Sequence, residues 1–127
     1  MAASENILKI KSFAFALRVI KLYKYLVVSK KEFVLSKQLL RSGTSVGAMI
    51  REAQNAESKP DFIHKLAIAQ KECDETLYWL ELLFESEYLE KGEFESIYKE
   101  GNEIFRIIKS SIITTKQNLK NGKNNDE

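Results

Sequence analysis

The stretch LLRSGTSVGAMIREAQNAESKPDFIHKLAIAQKECDETLYWLELL, residues 39–83, decides the fold of this chain. It contains a corner at residues 56–60 (AESKP), which holds the only proline of the sequence. Ser58 is suited to cap a helix, because its hydroxyl can accept a hydrogen bond from a backbone N–H in the first turn. The carboxylate of Asp61 can in turn accept a hydrogen bond from the backbone N–H at the cap, as in a capping box. Pro60 falls in the first turn, where its missing N–H costs nothing. The corner therefore predicts the start of a helix.

Apolar residues follow the corner at steps of three or four, which is the spacing of one helical face. No glycine or proline interrupts residues 61–89, so we predict a helix over residues 59–89. Cys73 lies on the inward face and is interpreted as a small buried hydrophobe. The predicted inward face consists of Phe62, Leu66, Ala69, Cys73, Leu77, Leu80 and Phe84.

The segment before the corner is unusual for its small residues, SGTSVGA at 42–48. Two glycines inside a helix each cost about 1 kcal/mol relative to alanine, and close approach to another helix is the usual compensation. A loop is the alternative interpretation, since glycine and serine also mark turns. Leu39, Val46 and Ile50 keep a helical phase across the run. We therefore predict a helix over residues 36–56, with a close helix–helix contact at residues 42–48.

These two segments resemble a known family. RSGTSVGAMIREAQ (41–54) and AESKPDFIHKLAIAQKECDETLYWLELL (56–83) are similar to motifs of the four-helix-bundle proteins named for intervening sequences in bacterial 23S ribosomal RNA, and the resemblance extends over about residues 10–119. It implies an up-and-down bundle that assembles as a ring, commonly a pentamer. A relative, the accessory protein of diversity-generating retroelements, is a basic pentameric barrel that binds nucleic acid and a reverse transcriptase. Most members have no assigned function, so the resemblance implies the fold more specifically than the activity.

A single all-α domain suits the chain of 127 residues, because one proline and five glycines leave little room for β-turns. We predict an antiparallel up-and-down four-helix bundle over residues 1–119 and a disordered polar tail over residues 120–127. Ser36 is the predicted N-cap of the second helix. Residues 85–92 are predicted to form the turn before the fourth helix, in which Gly92 is able to take a left-handed conformation. The predicted helices lie near residues 12–29, 36–56, 59–89 and 93–118.

The sequence also predicts where the protein resides. The start MAASENILKIK lacks the apolar core of a signal peptide, and no run of about 18 apolar residues is present to span a membrane. One cysteine excludes an intramolecular disulfide and a cysteine-based zinc cage. We therefore expect a cytoplasmic protein with no cofactor and no membrane partner.

Few residues point to catalytic chemistry. His64 is the only histidine and lies one turn after Asp61, but di-metal bundles need two Glu-x-x-His pairs, so a solvated histidine is the better interpretation. Glu72 and Glu75 share a helix face and could act as an acid–base pair, although a solvated acidic face is commoner. No nucleophile, base and orienting group are visible together. We predict that the protein is not an enzyme and has no catalytic, cofactor-binding or metal-ligating residues.

Charge is divided unequally between the halves of the chain. Residues 1–60 carry eleven Lys and Arg against four Asp and Glu, a net charge of +7, whereas residues 61–127 carry nine against fourteen, a net charge of −5. In one interpretation the acidic hairpin of a neighbour meets this basic hairpin, and in the other the basic hairpin faces the phosphates of RNA or DNA. The residues predicted to bind nucleic acid are Arg18, Lys21, Lys24, Lys37, Arg41 and Arg51.

The helices carry more apolar surface than a monomeric bundle needs, which predicts a homo-oligomer. The resemblance implies that it is a pentamer. In the first helix, the stripe at positions 10, 13, 17, 20 and 27 is predicted to face the core, and a second stripe is predicted to face a neighbour. The predicted subunit interface consists of Tyr23, Leu26, Tyr78, Leu82, Tyr98, Phe105 and Ile112.

Two functional hypotheses follow. The leading one is a non-enzymatic oligomeric bundle whose basic surface binds RNA or DNA. The alternative is an oligomeric scaffold or a ring that binds a protein partner, in which the charge asymmetry serves assembly alone and nucleic acid has no role. A nucleic-acid titration over a salt series separates them, because phosphate contacts weaken as salt rises.

Overall fold

Four α-helices make up the computed structural model, which describes the backbone of residues 3–126 and the side chains of residues 6–122. No strand occurs within this described backbone, which confirms the predicted all-α class. The small-residue run at 42–48 is helical, so the loop alternative for it is excluded. The helices are α1 (Ala3–Val28), α2 (Leu35–Gln54), α3 (Lys59–Glu85) and α4 (Lys91–Asp126).

Consecutive helices run antiparallel. Ser42 of α2 meets Thr76 of α3, whereas Glu52, further along α2, meets Lys65, nearer the start of α3. Helices α1 and α3 each pack against both α2 and α4, which places the four helices at the corners of a square. The predicted up-and-down four-helix bundle is therefore confirmed.

The core runs through the bundle and is built mainly from aliphatic side chains. Cys73 is fully buried, as predicted, and its Sγ donates to the carbonyl oxygen of Gly101 at 3.3 Å. Burial, with a smaller contribution from Asp74, raises the pKa of the Cys73 thiol to about 12. Cys73 is therefore an inert packing residue. The largest fully buried side chains include Phe15, Leu39, Ile50, Leu66, Leu80, Ile97, Ile104 and Ile108.

The face that α1 turns to the core differs from the predicted one. The structure leaves Ile10, Phe13 and Leu17 exposed, so the inward stripe that contained them was wrong. Both faces of α1 are apolar, and periodicity alone does not decide which of two apolar faces is buried. The buried stripe of α1 consists of Leu8, Phe15, Val19, Leu22 and Leu26.

Gly43 decides how closely α2 approaches α1. A Cβ at this position would lie 2.7 Å from Cγ1 and 2.8 Å from Cγ2 of Val19. Val19 is fully buried and β-branched, so its methyl groups have little freedom to move away. One turn on, a Cβ at Gly47 would lie 3.4 Å from the backbone oxygen of Ser12. The predicted close helix–helix contact at residues 42–48 is confirmed, and it lies inside one subunit.

The start of α3 follows the prediction with one difference. The hydroxyl of Ser58 accepts a hydrogen bond from the backbone N–H of Asp61 at 3.2 Å, which confirms Ser58 as the N-cap. The carboxylate of Asp61 accepts from the N–H of Glu57 at 3.3 Å, whereas a standard capping box would engage Ser58 itself. The two hydrogen bonds together hold the corner between α2 and α3.

The end of α3 corrects a second turn prediction. Glu87 adopts the left-handed conformation, with φ of 68°, and no glycine in the described backbone does so. The N–H of Tyr88 binds the carbonyl of Leu83 at 2.8 Å, which is the Schellman arrangement with Glu87 at the position that glycine usually takes. Gly92, which was considered for this conformation, lies in the first turn of α4 and does not adopt it.

The last helix continues to Asp126, past residue 120, where the polar tail was predicted to begin. Glu127 lies outside the described residues. Residues 120–126 have no apolar side chain to pack against the bundle, and the disorder of this tail stays a prediction.

Replacement of Gly43 by alanine is expected to lower the free energy of unfolding by about 1–3 kcal/mol, because the added methyl overlaps Val19 in a filled core. Urea unfolding followed by circular dichroism measures this change. Gly92→Ala is the matched control, since a Cβ there would meet no atom within 4 Å, and we expect it to be neutral or slightly stabilising. Equal effects of the two substitutions would show that the contact with Val19 does not limit the packing of α1 on α2.

Candidate nucleic-acid and subunit interfaces

Arg18, a residue predicted to bind nucleic acid, is held in ion pairs within the subunit. Its guanidinium group donates to Glu100 at 2.8 Å and to Glu93 at 3.3 Å, both on α4. The Arg18 side chain is mostly covered, whereas both glutamates are half exposed. The pairs link the basic first hairpin to the acidic second one and reduce the charge that Arg18 offers to an external phosphate.

Arg41 is held in a similar way by α3. It donates to Glu72 at 3.3 Å and to Glu75 at 2.5 Å. The hydrogen bond from Arg41 lowers the pKa of Glu75, and the indole N–H of Trp79 binds the same carboxylate at 3.3 Å. Glu72 and Glu75, which were considered as an acid–base pair, therefore serve as partners of Arg41.

The other four predicted residues are Lys21, Lys24, Lys37 and Arg51. All four are exposed, and none forms an ion pair with a side chain among the described residues. Lys21 and Lys24 lie in the last third of α1 and Lys37 lies in the first turn of α2, so these three share one end of the bundle. Arg51 is in the last turn of α2, at the opposite end. The structure therefore places three of the six predicted residues at one end of the bundle.

The loop between α1 and α2 is built around a buried carboxylate. Glu32 is only 7% exposed, and its carboxylate accepts hydrogen bonds from the N–H groups of Val34, Leu35 and Ser36 at 3.1, 2.9 and 2.7 Å. Burial alone raises the pKa of Glu32, but the hydrogen bonds from the three N–H groups and from the Ser36 hydroxyl outweigh it, so the pKa lies below its ordinary value. Ser36 was predicted to cap α2 and instead donates to the carbonyl oxygen of Glu32 at 2.8 Å. Sequence analysis missed Glu32, although an acidic residue just before a helix is the signal for such a cap.

The same loop turns apolar side chains outward. Phe33 is 57% exposed and Val34 is 71% exposed, next to the exposed Lys30 and Lys31. Lys31 adopts a left-handed conformation, with φ of 55°, which helps the chain to reverse direction. Hydrophobicity alone does not predict that Phe33 and Val34 are exposed. An apolar residue in a short loop is equally consistent with packing on the bundle and with exposure to solvent.

The outer face of α1 is the largest exposed apolar stripe along a helix of the described structure. Ile10, Phe13 and Leu17 follow one another at helical spacing and are between 54% and 69% exposed. Ile20, one turn further, is half-buried. This stripe replaces the predicted stripe of α1 as the candidate for a subunit interface.

The predicted interface residues fall into three groups. Leu26 and Ile112 are buried in the core of their own bundle, so their assignment to a subunit interface is corrected. Tyr78 is exposed and remains available to a neighbour. Tyr98 is half-buried, and its pKa is raised by burial first and then by the nearby charge of Glu81. The remaining half-buried residues of the set are Tyr23, Leu82 and Phe105.

No group of three His, Cys, Asp or Glu side chains among the described residues is placed to hold a metal ion, and the side chain of His64 is exposed. A groove of about 740 Å³ opens at the end of the bundle opposite the α1–α2 loop, and it is lined by Phe62, Ile107, Ser110 and Thr114 among other residues.

None of the four helices, over the residues that the structure describes, combines the length and the apolar character that a membrane span requires.

Comparison with known proteins gives concordant results. A family model described as 23S rRNA-intervening sequence protein matches residues 4–110. A crystal structure at 1.70 Å resolution, of a protein with unknown function from the S23 ribosomal protein family of Bacteroides thetaiotaomicron VPI-5482, is similar to this chain with a TM-score of 0.85 and 54% sequence identity. The similarity covers 86% of this chain and 97% of that one. A comparison with curated proteins gives no match.

Replacement of Glu32 by glutamine is expected to destabilise the protein at pH 7 by about 1–2 kcal/mol, because an amide leaves one of the accepting oxygens missing from the cap. A lowered pKa means that the folded state favours the ionised carboxylate of Glu32. The stability that this carboxylate contributes is present above the unfolded pKa of about 4.3 and is lost as the pH falls through the folded pKa. The difference between wild type and Glu32→Gln in urea unfolding should therefore shrink at pH 3. Glu57→Gln, at an exposed glutamate, is the control, and a difference that stays constant with pH would contradict the assignment.

Proposed function

The chain belongs to the family of 23S rRNA-intervening sequence proteins, and from that premise we propose that it is a non-enzymatic homo-oligomeric binding protein with a basic surface for RNA or DNA. The observation that carries the proposal is the apolar outer face of α1, which a lone bundle leaves in water. Neither the family description nor that of the similar crystal structure indicates an enzyme.

Assembly is the first part of the proposal. A helix that is apolar on all sides is normally buried on all sides, and α1 has its core face and its outer face both apolar. Covering Ile10, Phe13 and Leu17 with a neighbour recovers about 25 cal/mol for each Å² of apolar surface, before the cost of association. The resemblance to ring-forming members of the family supports five subunits.

Nucleic-acid binding is the second part. Lys21, Lys24 and Lys37 are exposed at one end of the bundle and have no ion-pair partner among the described side chains, so their charges face outward. One such group is a small patch. Repetition around an oligomer multiplies the number of phosphates that can be neutralised, and counterion release strengthens binding with each one.

The alternative is a scaffold or a partner-binding ring with no role for nucleic acid. It is favoured by the ion pairs of Arg18 and Arg41, which use two of the six predicted phosphate-binding residues inside the subunit. In this alternative the divided charge of the chain orients the subunits and their protein partners.

The double substitution Phe13→Glu and Leu17→Glu is expected to dissociate the oligomer, because it places charges where a neighbour would cover apolar surface. Light scattering at micromolar concentration in 0.5 M salt should give a multiple of 14.6 kDa for the wild type and about that mass for the variant. Ile113→Glu is the matched control, since Ile113 is an exposed apolar residue on α4, outside this stripe. A wild-type mass near that of one chain would remove the assembly part of the proposal.

Replacement of Lys21 and Lys24 by glutamine is expected to weaken binding to labelled RNA or DNA. It should also reduce the slope of log K against log salt by about 1 for each phosphate that the variant no longer neutralises. Fluorescence anisotropy over a salt series measures both quantities. The pair Lys116→Gln and Lys120→Gln makes the same charge change at the far end of α4 and should have little effect. Failure of the wild type to bind at low salt would favour the scaffold alternative.

A further inference from the structure

The end of the bundle that contains the α1–α2 loop carries both signs of charge. The α3–α4 turn lies at this same end, because the helices are antiparallel, and Leu89 of that turn shares a groove with Tyr25 near the end of α1. The α1–α2 side presents Lys30 and Lys31, and the α3–α4 side presents acidic residues together with Lys91, which is paired with Glu95 on its own helix. The exposed acidic side chains of the turn are Glu85, Glu87 and Glu90.

These charges are free to meet a partner. Neither lysine of the loop and none of the three glutamates of the turn forms an ion pair with any described side chain. The one acidic residue of the α1–α2 loop, Glu32, is turned inward and is occupied by three backbone N–H groups. The loop therefore faces outward with positive charge only.

Apolar side chains accompany the charges. Val28, Phe33 and Val34 are all more than half exposed at this end. The hydrogen bonds to Glu32 and the left-handed Lys31 fix the loop in a conformation that holds the aromatic residue out and the carboxylate in. Such an arrangement places apolar surface in water unless another molecule covers it.

We propose that this end of the bundle binds the same end of a second copy of the chain through a two-fold contact. In such a contact the surface is paired with itself, so the α1–α2 loop of each copy lies on the α3–α4 turn of the other. Lys30 and Lys31 of each copy then meet the glutamates of the other copy, which gives two equivalent sets of ion pairs. Phe33 and Val34 of both copies are covered near the two-fold axis. This end-on contact uses a different surface from the outer face of α1, so it joins assemblies rather than forming the ring.

The mixed charge favours a second copy over other occupants. A nucleic acid or an anionic lipid surface that lay across the α3–α4 side of this end would meet the carboxylates of Glu85, Glu87 and Glu90, which repel it, so such a ligand is confined to the side of the lysines. A copy rotated by a two-fold axis has the opposite order of charges and matches both halves. The proposed nucleic-acid contacts use Lys21, Lys24 and Lys37, so the two proposals depend on different side chains.

Charge reversal provides a direct test. Lys30→Glu with Lys31→Glu replaces the positive charges of the α1–α2 loop by negative ones, and Glu85→Lys with Glu87→Lys makes the α3–α4 turn predominantly basic. Light scattering at low salt should show the wild type at twice the mass of either variant, and 0.5 M salt should reduce the wild type to the mass of the variants. An equimolar mixture of the two variants should recover the doubled mass, because each then meets its complement.

Controls separate this proposal from the proposed function. Lys116→Glu with Lys120→Glu makes the same charge change at the opposite end and should leave the doubled mass intact. Phe33→Ser should weaken the doubling without affecting the smaller assembly, whereas Phe13→Glu with Leu17→Glu should affect the smaller assembly. If the wild type and both charge variants have one mass, or if their mixture does not associate, the end-on contact is wrong, and the ring can still stand. Doubling that appears only on addition of an oligonucleotide or of anionic vesicles would also overturn it.

Discussion

The close approach of α2 to α1 at Gly43 is the constraint on which the rest of the bundle depends. Because Val19 lies against the backbone of Gly43, the rotation of α1 about its axis is set, and Phe15 and Leu22 turn inward with Val19. A similar contact occurs on α4, where a Cβ at Gly101 would lie 2.9 Å from Leu77. Glycine at these two positions lets helices pack with little space between their backbones, and each costs about 1 kcal/mol of helix propensity.

The rotation of α1 has a consequence for the surface. With one apolar face committed to α2, the opposite face, with Ile10 and Phe13, must lie on the outside. An apolar outer face on a helix that is also buried on its inner face is a feature of subunits in an assembly. This surface lies on the flank of the bundle and the charged loop lies at its end, so the two proposed contacts use separate surfaces.

The charged residues of the chain have three different roles. Arg18 and Arg41 form ion pairs inside the subunit, which link the basic first hairpin to the acidic second one. The carboxylate of Glu32 is buried and accepts hydrogen bonds at the start of α2, so its negative charge does not face outward beside the lysines of the loop. Lys21, Lys24 and Lys37 are exposed and form no ion pair with a described side chain, so their charges remain available to an external partner.

The sequence by itself determined the all-α class, the corner at Ser58 and the burial of Cys73, because each depends on spacing or on local capping that neighbouring residues supply. It did not determine which face of α1 is buried, since both faces satisfy the helical period and the close contacts with Gly43 and Gly47 of α2 distinguish them. It also did not reveal that Arg18 reaches Glu100, a partner 82 residues away, or that Glu32 points inward. Those features arise from the packing of helices that are distant in sequence, and only the tertiary structure brings them together.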